Sequence, residues 1–201
     1  MMEAELRRCA WLGTWAGAAD PVYRRYHDEE WGIPCRDERQ LFEMLLLEGA
    51  QAGLSWITVL KKRDNYRQAF SNFDSDAIAA YTEADVQRLI ANPGIIRNQA
   101  KIRAFIGNAK AWNALRARED AVAWLWQFVG GSPVQNQWQT IAEVPASTPA
   151  SDAMAHALKK HGFRFAGTTI CYAFMQATGM VNDHTTDCYR HAALLHASGG
   201  T

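Results

Sequence analysis

The chain has 201 residues, 48% of them apolar, and its 21 Lys and Arg balance 21 Asp and Glu to a formal net charge of zero. A chain this apolar and aromatic folds rather than staying disordered, and its length suits one sizeable core or two small lobes. Neutrality argues against a wholesale polyanion binder, since nucleic-acid-binding domains commonly have a pI above about 9, but it allows a local basic face.

The N-terminal segment Met1 to Arg8 lacks the apolar stretch of a signal peptide, and no run of about 18 apolar residues occurs downstream, so a cytoplasmic protein without a membrane span is expected. Along the chain, apolar residues recur at helical spacing. Asp37 is an N-cap with Gln40 three residues on, and Leu41, Phe42, Leu45 and Leu46 form one apolar face of a helix running to about Gly49. A second apolar run from Leu54 to Leu60 closes at Lys61-Lys62-Arg63. Asp74 or Ser75 caps a short helix through Ile78, and Thr82 with Asp85 resembles a capping box before Val86, Leu89 and Ile90. Asn92-Pro93-Gly94 stops that helix, proline because it cannot continue it and glycine because it takes left-handed geometry cheaply.

From Asn98 a long amphipathic helix carries Ile102, Phe105, Ile106, Ala109 and Trp112, and Ala121 to Val129 marks another before Gly130-Gly131-Ser132-Pro133. Val134 to Pro149 reads as loop; Ser151 or Asp152 starts a helix ending in Lys159-Lys160-His161-Gly162; Thr168 to Thr178 is the last. Only Phe163-Arg164-Phe165 looks strand-like, so the expected fold class is all-α, with residues 1–201 forming one domain or two helical lobes with a pocket between them.

Three groups of residues could carry chemistry. Trp11, Tyr23, Tyr26, Trp31, Glu48 and Trp56 gather aromatic rings and a carboxylate in the first third of the chain. Such residues also build ordinary cores, and a helical Glu is ordinarily a surface acid; here the glycines around Glu48, Gly49 and Gly53, would let backbone approach a ligand, and an indole offers a stacking surface. The second group is the hairpin around residues 90–101, an ordinary helix connection unless the N–H groups opening its second helix, with Arg97 and Lys101, bind phosphate. The third is Cys9, His27, His184 and Cys188, a Cys2His2 count in which His184 and Cys188 stand four residues apart. Thiolate plus imidazole is a zinc ligand set, and a closed four-ligand site would tie the two chain ends together. Cys171 lies in an apolar helix and reads as core.

The strings Tyr26-His27-Asp28-Glu29-Glu30-Trp31-Gly32, Leu47 to Trp56, Gly94-Ile95-Ile96-Arg97, Gly167-Thr168-Thr169-Ile170-Cys171 and Val181-Asn182-Asp183-His184 resemble, in order, the 3-methyladenine-DNA glycosylase I family of the helix-hairpin-helix glycosylase superfamily. The resemblance spans roughly Cys9 to Cys188 and implies an enzyme that flips an alkylated base from double-stranded DNA and hydrolyses its N-glycosidic bond. Free 3-methyladenine and an abasic site would be the products. By matching position, Glu48 would contact the adenine edge, Tyr26 would add a polar contact, and Trp56 would stack. Trp11, Tyr23 and Trp31 would complete the lining, Gly53-Leu54 would plug the gap left by the base, and Gly94, Arg97 and Lys101 would meet the DNA backbone. Cys9, His27, His184 and Cys188 match the family's structural zinc ligands.

Bifunctional relatives carry lysine where Asn98 stands, so lyase chemistry is not expected. Two departures are visible. Leu12 to Ala19 is longer than the family pattern, and the tail after Cys188 carries His191 and His196 in place of a further cysteine, which makes His191 a substitute zinc ligand. A monomer is expected. The alternative is a zinc-stabilised hairpin module that binds damaged DNA without cutting. The charge distribution suits either, because residues 86–118 hold seven bases and no acid: Arg88, Arg97, Lys101, Arg103, Lys110, Arg116 and Arg118.

Overall fold

The computed structural model describes residues 6–13 and 20–197. Among them are α1 (Ala10–Gly13), α2 (Pro21–Glu29), α3 (Glu38–Gln51), α4 (Trp56–Leu60), α5 (Arg63–Ala69), α6 (Ser75–Ala79), α7 (Glu83–Ala91) and α8 (Gln99–Arg116). There follow α9 (Ala121–Trp126), α10 (Pro149–Lys160), α11 (Thr168–Ala177) and α12 (Tyr189–Ala197). Two two-residue strands, β1 (Val134–Gln135) and β2 (Val181–Asn182), pair in parallel with Val134 opposite Val181. The fold is therefore mostly helical, and no helix among the described residues is long and apolar enough to cross a membrane.

Side-chain caps start the helices where the sequence places them. Asp37 accepts from the Gln40 N–H at 2.8 Å, Thr82 and Asp85 close a capping box, and Asn98 accepts from the Lys101 N–H at 3.1 Å. The helix expected to start at Ser151 or Asp152 starts earlier, at Pro149, because Thr148 is the cap and Ser151 completes its box. Proline at the first helical position loses no hydrogen bond there. Phe163-Arg164-Phe165 is a turn and not a strand, with Phe165 in the left-handed region at φ 56°. The short helices α1, α5 and α12 carry no clear signal; segments of this length are held by tertiary packing more than by propensity.

Helix α3 runs through the middle of the core. Its apolar residues are buried on more than one side, Leu41, Phe42, Leu45, Leu46, Leu47 and Ala50 all being at most 2% exposed. It packs against α4, α8, α9 and α11. That surrounding carries two glutamates inward: Glu43, which Arg67 neutralises at 2.8 Å, and Glu48, which no cation meets. The segment after α2 is then pinned to the end of α11, where the N–H of Gly32 donates to Gln176 and that of Cys35 to Thr178, both at 3.0 Å.

The hairpin between α7 and α8 is held from α5 and the residue before it. Lys62 Nζ donates to the Pro93 carbonyl at 3.1 Å, Asn65 Nδ2 to the Gly94 carbonyl at 3.2 Å, and the Ile96 N–H to the Tyr66 hydroxyl at 3.2 Å. Gly94 is needed for close approach and not for left-handed geometry: a β-carbon there would stand 3.2 Å from Asn65 Cβ.

Gly179 meets both demands. It ends α11 at φ 67°, with the Met180 N–H donating back to Met175 at 2.9 Å, and a β-carbon on it would overlap the backbone of Ile33 and Pro34. Gly179→Ala is expected to cost about 3 kcal/mol or more, the combined effect of overpacking and backbone strain. Urea denaturation would register this as a midpoint well below that of a surface Gly→Ala control such as Gly107→Ala, whose added carbon meets nothing within 4 Å.

Candidate functional site

Helices α1, α2, α3, α4 and α11 surround a cavity of about 200 Å³ lined by Trp11, Tyr23, Tyr26, Trp31, Trp56 and Glu48. Sites for drug-sized ligands run roughly 300–1,000 Å³, so this one suits a single small ring system. The six residues singled out in the first third of the chain thus converge. Trp11 stands 5.0 Å from Tyr23 and 5.2 Å, edge-on, from Trp31, while Tyr26 lies 5.5 Å from Trp56. These tilted contacts brace the rings against one another and hold the walls in place.

Glu48 is 3% exposed, and its Oε2 has no hydrogen-bond partner; the Trp56 indole N–H is likewise buried without one. Burial alone pushes the Glu48 carboxyl up to about 8 from 4.5. Burial, followed by the proximity of Glu48, raises the phenols of Tyr26 and Tyr23 as well. A native interior rarely leaves an acceptor and a donor unpaired in one cavity. The pair offers one acceptor and one donor to a molecule of complementary polarity.

Next to this cavity lies a buried cluster that could hold a metal ion. The ligand atoms of Cys9, His27, His184 and Cys188 all lie within 4.8 Å of one another. Cys9 Sγ is 3.4 Å from His184 Nδ1, and Cys188 Sγ is 3.5 Å from both His27 Nε2 and His184 Nδ1. Four ligands set tetrahedrally at 2.0–2.3 Å from an ion stand roughly 3.3–3.8 Å apart, a range that these three thiol–imidazole separations fall within. The remaining ring nitrogens are engaged, His27 Nδ1 with Asp28 at 2.7 Å and His184 Nε2 with the Trp31 carbonyl at 3.0 Å, which directs the other nitrogen of each ring into the cluster. The Cys188 thiol is pushed well below its ordinary value, first by Cys9 and then by hydrogen bonds from His184 and His27. His191 takes no part as a substitute ligand: its Nε2 bonds the Asn136 carbonyl at 2.8 Å. The long stretch noted after Trp11 falls largely on residues 14–19, outside the described residues.

The basic segment is less free than its sequence suggests. Arg88 pairs with Asp85, Arg103 with Glu83, and Arg116 with Asp76 and Glu38. Lys101 does not reach the surface as a phosphate contact: it is 8% exposed and donates to the Ala50 and Ala52 carbonyls at 2.8 and 2.6 Å. There it caps the C-terminal end of α3, which the helix dipole favours. Arg97, Lys110 and Arg118 stay exposed with no acidic partner among the described residues. Past the Lys101 anchor, Gly53 turns at φ 78° and Leu54 stands 42% exposed, an apolar tip on a fixed loop.

Other pocket residues escaped the sequence reading. Ile141 and Val144, from the stretch read as loop, and Ala173 and Gln176 on α11 close the cavity. Gln176 is held by Asp183, whose buried carboxylate also accepts from Tyr172, Asn136 and Trp138. The acid in Val181-Asn182-Asp183-His184 was the available signal, but only the fold shows what it binds.

The structure thus combines a helix-hairpin-helix with an aromatic pocket that holds a buried carboxylate, Glu48, unpaired at Oε2. A family model described as methyladenine glycosylase matches residues 15–191. The chain belongs to the methyladenine glycosylase family. It is 53% identical over 184 residues to DNA-3-methyladenine glycosylase 1 of Escherichia coli K12, covering 91% of this chain and 96% of that one. With the DNA-3-methyladenine glycosylase of Haemophilus influenzae the identity is 47% over 182 residues, or 90% and 96% of the two chains. A crystal structure of a 3-methyladenine DNA glycosylase I superposes with a TM-score of 0.87 at 56% identity, covering 91% of this chain and 98% of the other. A variant of such an enzyme, crystallised in complex with 3-methyladenine, gives 0.85 at 33% identity, with 90% and 96% covered.

The electrostatics of Glu48 set a pH signature. The folded protein keeps this proton up to about pH 8, whereas the unfolded chain releases it near 4.5, so the folded state binds the extra proton between those values and stability falls as pH rises. Relative to Glu48→Gln, which cannot ionise, the wild type is expected to lose of order 4 kcal/mol between pH 5 and pH 8. Parallel urea-stability profiles for the two proteins would refute it.

Proposed function

We propose that this chain is a monofunctional DNA glycosylase that releases 3-methyladenine from alkylated double-stranded DNA by hydrolysis and leaves an abasic site. The observation that carries this reading is the Glu48 carboxylate, buried and unpaired at Oε2 inside an aromatic pocket of small volume. Methylation at N3 makes adenine a cation. Such a ring meets aromatic faces favourably and supplies the counter-charge that Glu48 lacks. The relatives named above carry the same activity in their names, and one was crystallised with this base.

The target base must leave the duplex to enter a pocket of this size. In this reading Leu54, on the loop turned by Gly53 and anchored through Lys101, fills the gap, while the Gly94 hairpin and Arg97 hold the phosphate backbone. Trp56 and Tyr26 flank the extruded ring, and Trp11, Tyr23 and Trp31 exclude water around it. Entry of the cation shifts Glu48 to its ionised form, its proton passing to solvent, and the carboxylate bonds the adenine edge. The C1′–N9 bond then breaks with its electron pair passing to the already cationic base, which leaves neutral. Positive charge develops on the sugar, where a fixed carboxylate acts strongly, and a water oxygen adds to C1′ as the water's proton passes to the Glu48 carboxylate. A charged leaving group needs little general-acid help. Among the described residues no lysine lines the cavity, Asn98 is occupied as the α8 cap, and the Lys101 ammonium is bonded to carbonyls, which supports hydrolysis over Schiff-base lyase chemistry.

The metal we assign to Cys9, His27, His184 and Cys188 is zinc, in a structural role. Thiolate and neutral imidazole are its usual donors, and four protein ligands leave no position open for a reacting water. The residues themselves join the segment before α1 and the end of α2 to the turns before α12.

Chromatography of bases freed from methylated DNA tests the reaction: 3-methyladenine is expected from the wild type, and binding of the DNA without any base release would instead favour a damage-binding module. Glu48→Gln is expected to lower base release at least a hundredfold while circular dichroism stays unchanged; wild-type turnover would remove Glu48 from the chemistry. Cys188→Ser is expected to lower the melting temperature by several degrees and to abolish stoichiometric zinc, and an unchanged melt with full metal content would contradict the clamp.

A further inference from the structure

The turn Phe163-Arg164-Phe165 is held in an unusual way for a surface connection. Phe165 takes φ 56°, a left-handed conformation that bulky residues rarely adopt and that costs of order 1–3 kcal/mol, yet its ring is 38% exposed. The backbone beside it is clamped. Asn108 of α8, 4% exposed, donates to the Arg164 carbonyl at 3.0 Å and accepts from the Arg164 N–H at 2.8 Å. Phe165 also lies against Gly49 of α3, where a β-carbon would stand 3.2 Å from the Phe165 carbonyl oxygen. The turn is thus fixed to α8, the helix that follows Arg97, and to the end of α3, which leads to Leu54.

Around the ring the chemistry is cationic. A shallow groove of about 480 Å³ runs beside it, bordered by Lys159, His156 and Arg164. Lys159, Lys160 and Arg164 are exposed, and none has an acidic partner among the described residues. Two unneutralised cations, Lys159 and Arg164, beside a fixed, exposed aromatic ring match the charge and stacking needs of a nucleic-acid strand.

We propose that the Phe163–Gly167 turn is a second DNA-contacting element, separate from the Leu54 loop and the hairpin. Phe165 packs against the distorted duplex beside the extruded nucleotide, and Arg164 with Lys159 holds phosphates of the flanking strand. The proposal rests on the reading of the pocket as a base site on DNA, and it explains why a strained phenylalanine is kept at the surface: the bent duplex supplies the missing cover.

The test uses three measurements on the full chain: fluorescence anisotropy with a duplex containing an abasic-site analogue across a salt series, titration with free 3-methyladenine, and base release from methylated DNA. Phe165→Gly removes the ring while accepting φ 56° without strain, so the protein keeps its fold, as its thermal melt would verify. It is expected to bind the abasic duplex about tenfold more weakly with unchanged affinity for the free base. Arg164→Gln is expected to flatten the slope of log affinity against log salt by about one. Wild-type duplex affinity in Phe165→Gly together with an unchanged salt slope in Arg164→Gln overturns the second contact. If the wild type binds the duplex and both variants show these losses, but no 3-methyladenine is bound or released by any protein, the surface stands and the pocket reading falls.

Discussion

A carboxylate buried with one oxygen unpaired is the constraint around which this molecule is arranged. Glu48 sits near the end of a helix whose neighbours are Leu46, Leu47 and Ala50, all fully buried. Nothing in its surroundings neutralises it, in contrast to Glu43 on the same helix, which Arg67 meets. The folded protein therefore holds a group whose ionised form is disfavoured until a cation arrives. On the proposed function, this favours a positively charged ring, because a neutral base of the same shape would have to bond the protonated form of Glu48.

The rigidity that such a site demands comes from its edges. Trp11 and Trp31 are walls of the pocket and also touch the Cys9, His27, His184 and Cys188 cluster, Trp11 lying 5.2 Å from the His27 ring and Trp31 4.6 Å from that of His184. The Trp31 carbonyl orients His184. Closing the cluster and building the aromatic wall are one event, which explains why a site near one end of the chain requires residues near the other. On the far side, Lys101 ties the first turn of α8 to the end of α3, and so joins the hairpin to the loop bearing Leu54.

Much of this organisation is legible in the residues. Caps at Asp37, Thr82 and Asn98 mark helix starts because their side chains bond N–H groups only two or three positions away. The aromatic residues and Glu48 stand out by chemical type and by the glycines near them. The Cys2His2 set stands out because metal ligands are few and specific in kind. Short helices such as α5 and the pairing of Val134 with Val181 are not legible, since their stability is supplied by partners distant in sequence.

The sequence by itself determined which chemical groups this protein possesses, where its main helices begin and that its family's site strings are present, since each depends on side-chain type and local spacing. Only the tertiary structure decided which charges are free. Residues 86–118 read as an unopposed basic stretch, yet Arg88, Arg103 and Arg116 are met by acids from outside it and Lys101 is turned inward onto carbonyls. Conversely, Arg164, Lys159 and the strained Phe165 look unremarkable in the sequence and become a coherent surface once Asn108 and Gly49 fix the turn between them. Charge neutralisation and backbone strain depend on what approaches through space, and spacing along the chain does not report that.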